Sequence, residues 1–183
     1  KDSGINATVT GTASGNANTV YRTKPALTSS VLGSTTGRAR TAVDTIATLN
    51  WVANAADDLT ISTVRIKLSG QAVASGTTPF SVSLIDANTN ANWGDATQQT
   101  CSPAGGNQCV VTFSPAFSIS RGSSKTVKLR VNSSAFYNHP NSSDSLSALI
   151  MNSADILWSD GTTNNIGFEP VLMPITLMNA SYE

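Results

Sequence analysis

The chain has 183 residues, enough for one domain with a sizeable core, and its 11 basic and 11 acidic side chains cancel. Only 12% of residues are charged, about half the usual share, so the basic footprint that nucleic acid or an anionic membrane requires is missing. No apolar run approaches the ~20 residues of a membrane span, so neither a nucleic-acid partner nor a membrane span is expected.

Ser, Thr, Asn, Ala and Gly replace the missing charge, as on secreted proteins that assemble or carry sugars, and no net charge opposes self-association. The opening KDSGINATV has no basic and apolar leader regions, so any signal peptide is expected to be already removed or to lie outside the chain.

Alternation of period two dominates from the start, and no amphipathic helix is expected. Ile5, Ala7, Val9, Gly11 and Ala13 alternate with Asn6, Thr8, Thr10 and Thr12, and TVYRT (19–23) predicts a shorter strand. KPALTSSVLGSTTGRAR (24–40) is rich in small residues and turn formers and predicts a connecting loop. Residues 1–41 are therefore read as an N-terminal arm, and residues 42–183 as the folded domain.

Ile46, Leu49, Trp51 and Ala53 mark a strand that ends in the turn NAADD. Leu59 and Ile61, then Val64, Ile66 and Leu68, predict one strand with a bulge where the alternation changes phase. Phe80, Val82 and Leu84 mark a strand, followed by an Asn-rich loop from Asp86 to Gln99. Val110, Val111 and Phe113 mark another, Val127, Leu129 and Val131 alternate with Lys128 and Arg130, and Leu146, Ala148 and Ile150 follow. DILWSDG precedes a C-terminal segment, FEPVLMPITLM (168–178). Short strands separated by Gly, Pro, Asn and Ser turns predict an all-β, immunoglobulin-like or jelly-roll-like antiparallel sandwich with an extended N-terminal arm. Trp51, Phe80, Phe113, Leu129, Leu146 and Trp158 are its expected core.

Cys101 and Cys109 flank Pro103, Gly105 and Gly106, a turn that brings the two sulfurs within reach of a disulfide. Such a bridge places the protein in an oxidising, extracellular compartment. With two cysteines and no CxxC, a zinc site is not expected.

Catalytic constellations are absent. The one histidine, His139, lies in a polar turn, the glutamates are Glu169 and Glu183, and Asp57 and Asp58 are adjacent, so their side chains diverge. No GxSxG elbow, GxGxxG or phosphate loop occurs, and no enzyme is expected. Asp86, Asn88 and Asn90 copy the first side-chain positions of a calcium loop, but Ala91 and Thr97 stand where its glycine and closing glutamate belong. Calcium is the one cofactor this pattern raises, set against an ordinary Asx turn. The sequons at Asn6, Asn132, Asn141 and Asn179 arise readily in so Asn- and Ser-rich a chain.

The order ATLNWVANAADDLTISTVRIKLSG, FSVSLIDANT, FSPAFSISRGSSKTVKLRVNSS, SLSALIMNSADILWSDG resembles Ig-like repeat modules of large cell-surface proteins from ultra-small, candidate-phyla bacteria. The resemblance covers about residues 42–177 and implies a structural or adhesive module without catalytic residues. A looser similarity is to pilins assembled by donor-strand exchange, with their disulfide, alternating terminal arm and near-terminal aromatic, here Tyr182.

In FEPVLMPITLM, Val171, Met173, Ile175 and Leu177 are expected to face one way and Leu172, Pro174 and Met178 the other. A strand apolar on both faces needs cover on both, and Pro174 confines it to an edge. The expectation is a cell-surface subunit that polymerises with copies of itself. Its donor or interface residues are Ile5, Ala7, Val9 and Ala13 of the arm, and Val171, Met173, Ile175 and Leu177 of the last segment. The competing expectation is an adhesin or carbohydrate-binding module that stacks host or surface glycans on Trp93, or on Tyr137 or Trp158.

Overall fold

A computed structural model describes residues 21–74, 77–103, 106–137, 143–169 and 172–183. Two antiparallel sheets pack face to face, and no α-helix occurs among the described residues. The first sheet has five strands in the order β1 (Pro25–Val31), β2 (Asp44–Ala53), β8 (Ser124–Val131), β4 (Phe80–Asp86) and β5 (Gln99–Cys101). The second has seven: β11 (Ile166–Gly167), β10 (Ile156–Ser159), β3 (Leu59–Ser69), β9 (Asp144–Ile150) and β12 (Ile175–Tyr182), with β6 (Gln108–Phe113) and β7 (Phe117–Ile119) also pairing with β3.

The alternation maps onto the pleat as expected. In β8, Val127, Leu129 and Val131 are buried between the sheets, while Lys128 and Arg130 point out. All six expected core residues are buried, and each large apolar side chain so placed contributes roughly 1.5–3 kcal/mol. The expected bulge in β3 is real. Leu157 pairs with Thr63 and Trp158 with Ile61, so Ser62 is the extra residue and the inward face changes from Ile61 to Val64. A second bulge at Ile46 lets Ile46 and Ala47 both point inward.

The N-terminal reading needs correction. Pro25–Val31 is not a loop but the edge strand β1, paired with β2 from Pro25↔Ala53 to Val31↔Ala47. Its Ser and Thr residues are exposed on both faces, so no apolar alternation marked it. Residues 25–31 thus form an edge strand of the first sheet. Of TVYRT, the described residues Tyr21–Thr23 form no strand; Tyr21 instead stands edge-on to Trp158, ring centroids 5.5 Å apart.

Cys101 and Cys109 are bonded, with Cα atoms 5.8 Å apart. Cys101 ends β5 on the first sheet and Cys109 lies in β6 on the second, so the bond staples the two sheets along one side of the sandwich. Near the other end of the second sheet, Asp160 after β10 is buried and accepts from the Thr162 and Thr163 N–H groups at 2.9 and 2.7 Å and from the Arg22 N–H at 3.0 Å. These donors, Thr163 first, hold its carboxyl well below the usual carboxylate range.

Two outcomes follow for stability. Replacing both cysteines by alanine is expected to lower the unfolding free energy by about 2–3 kcal/mol, since the closed loop is short, measured as a reduced urea midpoint. Because the folded Asp160 pKa is depressed, its contribution is present above the unfolded value near ~3.9 and is lost as pH falls towards the lower native value. Asp160→Asn is therefore expected to be less stable than the parent at pH 7 and to lose less stability between about pH 5 and 3 in denaturant titrations.

Candidate functional site

The C-terminal strand carries the feature with functional reach. Thr176 pairs with Leu149 and Met178 with Ala148, leaving Leu177 as a bulge residue. The bulge changes the phase of the strand, so Leu177 and Met178 are both fully buried. That resolves the two-faced apolar pattern: Leu177, expected at an interface, is core. After it Ala180 and Tyr182 point inward and Asn179 outward.

Tyr182 ends the strand inside the protein. Its ring lies edge-on to Phe136 at 5.0 Å, and its hydroxyl donates to Asp44 Oδ2 of β2 at 2.8 Å. Asp44 also receives Arg38, with Nε at 2.9 Å from Oδ2 and Nη2 on Oδ1. The remaining Arg38 donors go to the carbonyls of Leu32, Ser34 and Thr45. The Asp44 carboxylate, by hydrogen bonding, holds the Arg38 guanidinium even more firmly protonated. Burial, and then the Asp44 charge, push the Tyr182 hydroxyl far above its ordinary value. It therefore remains a donor at alkaline pH.

The turn 33–37 is what lets this network close. Gly33 and Gly37 have φ of +80° and +57°, and a Cβ on either would stand 2.5 Å from Arg38 Nη1 or Glu183 Oε1. With glycine there, residues 35–38 lie along the outer edge of β12. Ser181 N donates to Thr35 O at 3.0 Å, Arg38 N to Ser181 O at 2.9 Å and Glu183 N to Arg38 O at 3.1 Å.

The cover stops there. Among the described residues, β12 ahead of Ser181 pairs with β9 alone, and its near neighbour β1 pairs only with β2. Ser29 Oγ, 3.5 Å from Thr176 O, is a side-chain contact between the two strands. Along β1, Pro25 is buried and Leu27 half-buried, yet Ser29 and Val31, which alternate with them on the same face, are exposed. Opposite, Met173 and Ile175 are half-buried and Leu172 is 80% exposed. Among the described residues the sandwich is thus stapled along β5–β6, pinned at one end of the β1–β12 seam, and without strand pairing along the rest of that seam. The other expected donor or interface residues, Ile5, Ala7, Val9, Ala13 and Val171, lie outside the described residues, as does His139.

Two further expectations concern the loop after β4. Asp86, Asn88 and Asn90 do not converge on a cation. Asp86 Oδ1 closes an Asx turn on the Asn88 and Thr89 N–H groups at 2.8 and 3.2 Å, while Oδ2 is paired with the Lys125 ammonium. That ammonium, first among the causes, lowers the Asp86 pKa. Asn90 Oδ1 accepts from Arg130 Nη2 at 2.8 Å. The Asp86 and Asn90 side-chain oxygens thus already have protein partners, two of them cationic side chains.

Trp93 cannot stack a sugar, because it is 0% exposed. It lies parallel to Trp51, centroids 5.8 Å apart, and packs on Phe117. The loop turns inward because Gly94, at φ +54°, comes so close to the Pro115 carbonyl that any Cβ would stand 2.1 Å from it. Trp158 is likewise core, whereas Tyr137 is exposed.

No family model and no curated protein matches the chain. A solved structure titled "AvmM Catalyzes Macrocyclization in Alchivemycin A Biosynthesis" aligns over 89% of both chains at 7% identity with a TM-score of 0.40, a likeness that carries no argument about activity.

Removing the Tyr182 hydroxyl (Tyr182→Phe) deletes one hydrogen bond to a charged group and is expected to cost about 1.5–3 kcal/mol. Asp44→Ala leaves Arg38 buried without its counter-ion and is expected to cost about 3–5 kcal/mol. Both are read from urea unfolding, and both should speed amide exchange in residues 181–183 more than in β8.

Proposed function

We propose that this chain is an extracellular structural subunit that assembles head to tail into a filament or surface array. In this reading the alternating segment Ile5–Ala13 of one copy adds as a strand along the open β1–β12 seam of the next. The carrying observation is the seam itself: among the described residues two neighbouring sheet edges lack strand partners, Ser29 and Val31 of β1 are exposed, and Met173 and Ile175 at the start of β12 are half-buried. Unpaired edges are templates for strand addition, and natural monomers blunt them with charge, proline or cover. Here the β1 edge from Ala26 to Val31 carries no charged residue.

The occupant fits in chemistry and reach. Ile5, Ala7, Val9 and Ala13 present small apolar side chains every second position, with Asn and Thr between. Residues 1–20 can span about 60 Å when extended, enough to reach a neighbour. Small side chains suit a seam whose own walls are Leu27, Ser29 and Val31. A donor and acceptor on different parts of one chain make a heterologous contact, which propagates rather than closes. Near-zero charge leaves association unopposed, and the Cys101–Cys109 bond suits an oxidising, extracellular site.

The test is assembly of the intact chain against a chain lacking residues 1–14, followed by electron microscopy and light scattering. The expected outcome is ordered polymers from the first and a folded, non-assembling monomer from the second. A Val9→Cys, Val31→Cys chain should cross-link between copies on oxidation. Polymers that form equally without residues 1–14, or a purely intramolecular cross-link, would contradict the reading.

A further inference from the structure

On the outer face of the first sheet, far from the open seam in strand order, lies a groove of about 180 Å³ across β4 and β8. Its walls include Ser81, Ser83, Asn92, Gln98 and Arg130, with Val43 on the rim 67% exposed. Arg130 is the one charged residue among the lining residues, and no carboxylate pairs with it among the described ion pairs. Nη2 is held by Asn90 Oδ1, which fixes the plane of the guanidinium, while Nε is shielded from solvent and has no acceptor. No described ion pair neutralises Arg130, so a carboxylate entering the groove meets a cation without a carboxylate partner.

From this arrangement we infer that the groove binds the acidic unit of a glycan, a sugar residue bearing a carboxylate. The guanidinium takes the carboxylate, because its planar fork matches two oxygens. The hydroxyls of Ser81 and Ser83 and the amides of Asn92 and Gln98 both donate and accept, as ring hydroxyls require. Val43 and Ile85 offer apolar surface to the C–H face of the ring. Ser83 Oγ lies 3.4 Å from Gln98 Oε1, so these two partners are already placed beside each other. An extended acidic peptide fits less well. Peptides that add to sheets need a free edge, and β4 and β8 are interior strands of their sheet. This site is independent of the strand-addition reading and does not rest on it.

The experiment is an NMR titration of the ¹⁵N-labelled chain lacking residues 1–14 with methyl β-glucuronide, methyl β-glucoside and an acidic hexapeptide, after confirming that this chain folds. The full-length chain is titrated in parallel by calorimetry. The glucuronide is expected to bind with Kd on the order of 1 mM, as suits a ligand of so few atoms. The shifts should centre on Ser81, Ser83, Gln98 and Arg130. The glucoside should bind at least about tenfold more weakly, because the charge-assisted contact is lost. Arg130→Gln should erase that preference, and Arg130→Lys should retain part of it. Should Arg130→Gln not fold, the exposed pair Ser83→Ala and Gln98→Ala is expected to weaken glucuronide binding instead. No saturable shift, equal binding of the two sugars, stronger binding of the peptide, or an unchanged preference in the folded variants would each overturn the inference.

Discussion

The buried contact of Arg38, Asp44 and Tyr182 is the constraint on which the arrangement of edges depends. It joins the glycine-bearing turn before residue 38 and the nearby start of β2 on one sheet to the last strand of the other, which sequence keeps far away. Removing one partner of a buried ion pair leaves the other uncompensated, so the three elements are fixed or freed together. With Tyr182 anchored, the end of β12 is committed to the core, and residues 35–38 close its outer edge. The strand ahead of that anchor is held in place but not covered.

The molecule therefore treats its two sides differently. Along β5 and β6 a covalent bond ties sheet to sheet. Along β1 and β12 a hydrogen-bonded pin holds one end, and among the described residues the rest is left with unpaired strands and partly wet apolar side chains. An exposed strand edge is a liability in a monomer and an asset in a subunit that must recruit a neighbour. The low charge of the chain points the same way, since charged side chains are the usual means of keeping such edges apart.

Much of the sandwich was legible in the sequence because buried strands imprint period two on it. The alternation in β8 and β9, the phase change that becomes the Ser62 bulge, and the six core side chains all follow from local pattern. What escaped lacked that imprint. β1 is wet on both faces, so its serines and threonines look like loop. Met178 was assigned to the face opposite Leu177 because the alternation gives no sign of the one-residue bulge that shifts the phase after Leu177 and buries both. Trp93 sits among Asn and Asp, and only the close approach of Gly94 to the Pro115 carbonyl turns it inward. Asp44 and Tyr182 are 138 positions apart, and nothing local pairs them. A signal was nonetheless available: an aromatic residue at the end of an alternating strand, and an arginine directly after a turn with two glycines, both call for a buried partner.

The central claim is that the open β1–β12 seam is an acceptor filled by another copy. Amide hydrogen exchange, compared between the dispersed monomer and its assembled form, addresses it most directly. The account predicts fast exchange at Leu27, Ser29 and Val31 and at those amides of Ile175–Asn179 that point away from β9 in the monomer, slowed at least about a hundredfold on assembly while β8 is unchanged. Protection that appears elsewhere on assembly, with the seam exchanging as fast as before, would contradict it.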